Sequence, residues 1–250
     1  MTSQDPLPEN TLIAHLEALR KMLISCLTAT ALLYPAGYFL SSALIDFLVR
    51  WSFPESGETT LYYFAPMEVF WVQLKLGLIL ALILAYPWNL LQLWRFLQPA
   101  LYREERKLLG FWIVFSSLLF FAGMAFCVGL ILPMLMKFSL GFATPELKPM
   151  LGLSQFLHLA GWLMLAFGIM FQAPILVLSA VRFGFLSTAY LRAKRPYVMT
   201  AILIVAAVLT PPDVVSQLAL AIPTWLLFEL GLFFAKHIER KGMKEDDEQT

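Results

Sequence analysis

Cysteine, histidine and charge are all scarce in this chain of 250 residues, and each shortage removes a class of function. The two cysteines, Cys26 and Cys127, lie inside apolar runs. That is where ordinary buried or lipid-facing thiols lie, and it supports neither a disulfide framework nor a thiolate metal site. The three histidines, His15, His158 and His237, show no HExxH or comparable ligand spacing, so no metal is expected. There is no GxxxxGK(S/T) loop, no G-x-S-x-G elbow and no pair of intramembrane aspartates. The chain therefore shows no nucleotide site and no hydrolase centre, and we expect neither a cofactor nor enzymatic activity. Charged residues make up 14% of the chain, against about 25% in an average soluble domain. The net charge of +1 carries no footprint for nucleic acid. No cleavable signal peptide is expected either, since the first twenty residues are mixed polar and include Asp5, Glu9 and Glu17.

What the chain has instead is apolar sequence, 60% of it, gathered into blocks. Such blocks reach about twenty residues, enough to cross roughly 30 Å of hydrocarbon as helix. Six blocks are expected as spans: 22–48, 69–93, 108–135, 156–181, 197–209 and 218–235. Turn chemistry separates them at Pro54-Glu55-Ser56-Gly57, Gln98-Pro99, Thr144-Pro145, Arg195-Pro196 and Thr210-Pro211-Pro212-Asp213. The runs are uninterrupted, not alternating, so a membrane barrel is excluded. The expected fold class is an all-α membrane protein with six transmembrane helices. An amphipathic N-terminus of residues 1–21 precedes them, and a charged tail of residues 236–250 follows, its last ten residues read as disordered.

Fourteen of the eighteen Lys and Arg residues fall on one face of this topology, three on the other and one, Lys75, within the second block. The positive-inside rule makes the fourteen cytoplasmic and puts both termini inside. The fifth block, thirteen residues, reaches only about 20 Å, and the sixth, carrying Pro223, about 27 Å. Short helices 5 and 6 either hide behind longer neighbours or form a thin region of protein. Prolines at Pro35, Pro87, Pro133, Pro174 and Pro223 bend the helices, which suggests a cupped bundle.

Polar groups are conspicuous where they are expensive. Lys75, Gln172 and Glu229 lie within apolar sequence, and Glu68 and Asp213 lie at extracytoplasmic helix ends. Such groups mark a pathway, or they snorkel or bond a neighbouring backbone. Thr210 and Gln217 either cap the turn before the sixth helix or meet a polar group of another membrane helix. On the cytoplasmic face, Glu104 and Glu105 stand in basic surroundings, and Glu17 with Arg20 forms an i, i+3 pair of opposite charge. A small-solute or ion carrier built on Lys75, Gln172 and Glu229 is the alternative these residues leave open.

Taken together, His15-Leu16-Glu17-Ala18-Leu19-Arg20-Lys21, Pro66-Met67-Glu68-Val69-Phe70 and Gln92-Leu93-Trp94-Arg95-Phe96 resemble the TatC family. So do Pro99-Ala100-Leu101-Tyr102, Glu105-Arg106, Phe171-Gln172-Ala173-Pro174, Arg195-Pro196-Tyr197, Leu209-Thr210-Pro211-Pro212-Asp213 and Phe228-Glu229. The resemblance implies a glove-shaped, six-helix protein of the bacterial inner membrane. It would receive twin-arginine signal peptides and, with TatA- and TatB-type single-span subunits, move folded proteins using the proton-motive force. Self-association is also expected. Carried over by position, the peptide would meet Glu105, Phe96, Leu16, Glu17 and Arg20, with Glu104 as a second carboxylate. Two departures stand out: the carboxylate at Glu17 is one position away from the family's usual His-Leu-x-Glu-Leu-Arg, and Gln172 replaces a common buried glutamate. An amide there hydrogen-bonds but cannot titrate.

Overall fold

Hydrocarbon offers no partner to a backbone N–H or C=O, so an apolar block must close its own hydrogen bonds as helix. The computed structural model describes residues 8–53, 61–97, 109–141, 144, 150–182, 184–209 and 214–247, with side chains described for 13–237 within those ranges except Leu97 and Leu109. Its helices, in order, are α1 (Pro8–Ser52), α2 (Glu68–Leu97), α3 (Leu109–Phe126), a π turn (Cys127–Ile131) and α4 (Leu132–Leu140). Then come α5 (Leu153–Met170), α6 (Ala173–Arg182), α7 (Thr188–Ala193), α8 (Arg195–Leu209) and α9 (Val214–Asp247). Among the described residues no strand forms beyond a single bridge between Tyr62 and Gly152. Five stretches are long and apolar enough to span: Ile13–Ser52, Glu68–Phe96, Gly110–Leu140, Leu153–Arg182 and Val214–His237; α8 is a shorter apolar helix.

The architecture follows the expected blocks, with differences that have physical causes. The N-terminal segment is not a separate element: α1 runs 45 residues straight through residue 21. Pro8 opens it where a missing N–H costs nothing, and Pro35 is absorbed within it. The third block contains the π turn, placed just before Pro133. Proline cannot donate to the carbonyl four residues back, and a wider turn is one way to accommodate that. The fourth block breaks at Phe171–Gln172, ahead of Pro174, through a tightened last turn in which Gln172 N donates to Ile169 O at 3.0 Å. The fifth block stays short, 15 residues or about 22 Å.

The expectation of a short sixth helix is corrected. Its apolar part is 24 residues, Val214–His237, and the helix continues to Asp247, so the tail is helical through most of its length. Val214–Gln217 joins the helix directly after the turn, and the Lys, Glu, Arg and Met of the tail are good helix formers. Pro223 lies inside this helix without ending it.

Packing between the helices is set by small residues. α1 lies against α2 so closely that a Cβ on Gly37 would stand 2.3 Å from Gly77 O and 2.9 Å from Ala81 N. At the α3–α5 crossing, a Cβ on Gly123 would stand 2.6 Å from Phe167 O. On α9, one on Gly231 would stand 2.7 Å from Pro174 Cα. Without a hydrophobic force between helices in lipid, such backbone approach supplies the van der Waals contact that holds them. The main buried cluster gathers Leu76, Phe120, Leu132, Leu157 and Phe167, joined by Ala206 and Leu220 of α8 and α9. A second cluster, with Val177, Leu191, Phe228 and Leu232, ties α6 and α7 to α9.

Gly37→Val is expected to force α1 and α2 apart and cost about 1–3 kcal/mol, the usual range for overpacking. Gly110→Ala, whose Cβ meets nothing within 4 Å, is expected to be neutral. Thermal unfolding of the purified variants in detergent checks both.

Candidate functional site

The first helix is aligned on the second by three side-chain contacts at the amino-terminal end of the bundle. The His15 ring lies on Phe96, centroids 4.6 Å apart and tilted by 37°. Farther along, the Ser25 hydroxyl oxygen accepts from Gln92 Nε2 at 2.5 Å and from Trp88 Nε1 at 3.2 Å. These contacts fix the register of α1 against the last turns of α2. They leave Leu16 59% exposed, with Glu17 and Arg20 also exposed. Glu17 and Arg20 do not close the i, i+3 ion pair that their spacing permits. Phe96 is therefore half-buried beneath His15, a partner that the sequence reading did not assign to it. Glu104 and Glu105 lie outside the described residues.

Deeper in the bundle, Gln172 is taken up internally. Ser116 Oγ donates to its Oε1, while its Nε2 donates to Ser116 O at 3.2 Å and to Gly168 O at 3.4 Å. On α2, the Tyr86 ring stacks on Phe120 of α3 at 3.7 Å. The amide thus stitches the break in the fourth span to α3. Of the two readings open for Gln172, bonding to neighbouring backbone is the one that the structure bears out. Glu229 is likewise engaged: its carboxylate accepts from Arg195 Nη2 at 2.5 Å, tying α9 to the start of α8. The three residues that a solute carrier needs are not gathered. Gln172 faces α3, Glu229 faces α8, and Lys75 lines a groove with Ser154 and His158.

At the opposite end, Glu68 is neither snorkelling nor free. Its Oε2 accepts from Phe64 N at 2.6 Å and Ala65 N at 3.2 Å, and its Oε1 accepts from Ser154 N at 3.2 Å. Beside it, Tyr62 N donates to Leu151 O at 2.9 Å and Leu153 N to Tyr62 O at 2.8 Å. One carboxylate therefore closes the start of α2 onto the start of α5. Gln217 donates from Nε2 to Leu203 O at 3.1 Å, bonding across to α8. Thr210 and Asp213 lie outside the described residues. His15, Ser25 and Ser116 were missed as partners. Only His15 carried a signal, since it opens the N-terminal motif.

Long apolar helices, the internally bonded Gln172, Glu68 and Glu229 and an exposed N-terminal stretch define an all-α, multispanning membrane protein with no gathered solute site among the described residues. A family model described as Sec-independent protein translocase protein (TatC) matches residues 14–223. The Escherichia coli K12 protein TatC is 36% identical, over 99% of this chain and 95% of its own length. Bacillus subtilis TatCy is 29% identical over 94% of this chain and 92% of its own. A crystal structure of the twin-arginine translocase receptor TatC superposes with a TM-score of 0.79 at 30% identity, covering 89% of this chain and 98% of that one. The chain belongs to the TatC family.

Glu68→Gln replaces one of two acceptor oxygens by a donor facing backbone N–H groups. A loss of about 1–3 kcal/mol is expected, read as a lower midpoint of thermal unfolding, with Glu68→Asp intermediate. A midpoint equal to wild type would show that these three bonds do not hold the two helix starts.

Proposed function

We propose that this chain is the signal-peptide receptor subunit of a twin-arginine translocase. It lies in a bacterial inner membrane with both termini cytoplasmic, as its Lys and Arg distribution indicates. The observation that carries the reading is the His15–Phe96 contact. It sets the exposed stretch with Leu16, Glu17 and Arg20 beside the end of α2, from which the chain leads directly to Glu104 and Glu105. One cytoplasmic face then presents carboxylates from two segments against a positively charged background.

A carboxylate takes an arginine fork through two parallel charge-assisted bonds, a geometry lysine cannot reproduce. Each such bond contributes about 1.5–3 kcal/mol, less when exposed. Two of them give binding only in the range of roughly millimolar to tens of micromolar. The apolar stretch of a signal peptide adds the rest by lying along the membrane-facing helices. Single-span subunits of the TatA and TatB type are the partners this reading requires. Thr210 and Gln217 near the turn after the short α8 are the polar groups offered to them. With its Nε2 spent on Leu203 O, Gln217 meets such a partner through Oε1. The thin flank made by α8 lowers the barrier to bulky cargo. Coupling to the proton-motive force does not run through a titration at Gln172, which is a neutral, hydrogen-bonded amide.

Glu105→Gln is expected to weaken a twin-arginine signal peptide by about tenfold or more, the equivalent of roughly 1.4 kcal/mol. Fluorescence titration of the labelled peptide against purified protein reads it. A Lys-Lys peptide is expected to bind more weakly than Arg-Arg to wild type and to lose less on the substitution. Equal affinity of both peptides for both proteins would sink the bidentate reading.

A further inference from the structure

Two basic side chains in the membrane region have no counter-charge among the described residues. Lys75 on α2 and His158 on α5 are exposed, both line one narrow crevice between the two helices, and have neither an ion pair nor a hydrogen bond among the described residues. His158 also lines a groove of about 630 Å³ with Ser154, Trp162, Val208 and Leu209, between α5 and the last turn of α8. Glu68 and Glu229, by contrast, are engaged inside the protein, Glu68 on three backbone N–H groups and Glu229 on Arg195. Lys75 and His158 are exposed instead.

Their depth is informative. Lys75 lies seven residues into α2 and His158 five residues into α5, so they stand about 10 Å and 8 Å in from those helix starts. The 30 residues of α2 reach about 45 Å, roughly 15 Å more than the hydrocarbon core. Both bases therefore fall near the level where hydrocarbon meets headgroups. On the α8 side the span is only 15 residues, about 8 Å short of the core, which draws that level inward. The groove ends against the short helix, at Val208 and Leu209. Headgroup phosphate and unpaired base meet at one depth on this flank.

We infer that the groove lined by His158 and Ser154, with Lys75 on the adjoining helix beside it, seats an anionic phospholipid of the leaflet at this end of the bundle, held by its phosphate. The Lys75 ammonium supplies the charge, and the His158 imidazole and Ser154 hydroxyl donate to the phosphate oxygens. Trp162 and Leu209 flank the glycerol and upper acyl chain, the indole lying about one helical turn deeper than His158. A phosphatidylglycerol matches one ammonium with one negative phosphodiester. A zwitterionic lipid brings its own ammonium into the same space and is disfavoured. Bound lipid here supports the thin flank beside α8, so this site stands apart from the peptide-binding reading and depends only on the protein being in a membrane.

Native mass spectrometry of the purified protein with added phosphatidylglycerol tests the site. Wild type is expected to retain one lipid with about tenfold preference over phosphatidylcholine. K75Q and H158Q are each expected to lose most of that preference, K75R to keep it, and R50Q, an exposed charge at the same end, to leave it unchanged. Equal retention by K75Q and wild type overturns the proposal, as does displacement of the lipid by millimolar inorganic phosphate, which marks a free-anion site. If K75Q does not fold, H158Q and a photoreactive group at Leu159 decide it. Capture of phosphatidylglycerol at Leu159 supports the lipid, and capture of a protein chain in its place overturns it.

Discussion

Close backbone contact between helices is what the rest of this structure depends on. Lipid tails are as apolar as leucine, so nothing expels a helix from them and only contact between surfaces holds the bundle. Gly37 against Gly77 O and Gly123 against Phe167 O are points where one helix's backbone meets another's with no side chain between. Once α1 lies that close to α2, the rest of its register follows. Ser25 comes within reach of Trp88 and Gln92, and His15 reaches Phe96. A contact near the middle of the membrane thereby positions groups at its surface.

The same economy governs polar atoms. Where the chain breaks its own helical ladder, a side chain or a turn repairs it. The gap at Phe171–Gln172 is bridged by the Gln172 amide to Ser116 and Gly168. The neighbourhood of Pro133 is absorbed by a π turn. The open start of α2 is closed by Glu68. These groups carry structure, which leaves the work of recognition to polar side chains with no internal partner. Glu17 and Arg20 at one end and Lys75 and His158 toward the other are among the exposed examples in the described residues. Charge that the fold does not use is charge offered to something else.

Much of this was legible in the sequence. Apolar runs of sufficient length, interrupted by Pro-containing turns, located the spans, because burial in hydrocarbon tolerates almost no other composition. The short fifth span was visible by counting residues. The sixth was drawn too short, at 218–235, because the charges after Ala235 looked like its end and the residues before Leu218 like a turn. The helix begins at Val214 and continues past Ala235, since the tail residues favour helix on their own. The site was legible only as residue types. Gln172, Glu68 and Glu229 were recognised as costly, but a costly group reads alike whether it is spent inside the protein or displayed.

The sequence by itself determined that this is a multispanning helical membrane protein, where its breaks fall and which residues are expensive to bury. Length and polarity are local properties, and the membrane judges each block nearly independently. The tertiary structure alone decided which expensive residues have partners. Ser116 stands 56 residues from Gln172, and Arg195 stands 34 from Glu229. Ser154 stands 86 from Glu68. No periodicity along one helix records such pairings, because they arise only when glycine contacts bring separate helices to within a bond length of one another's side chains.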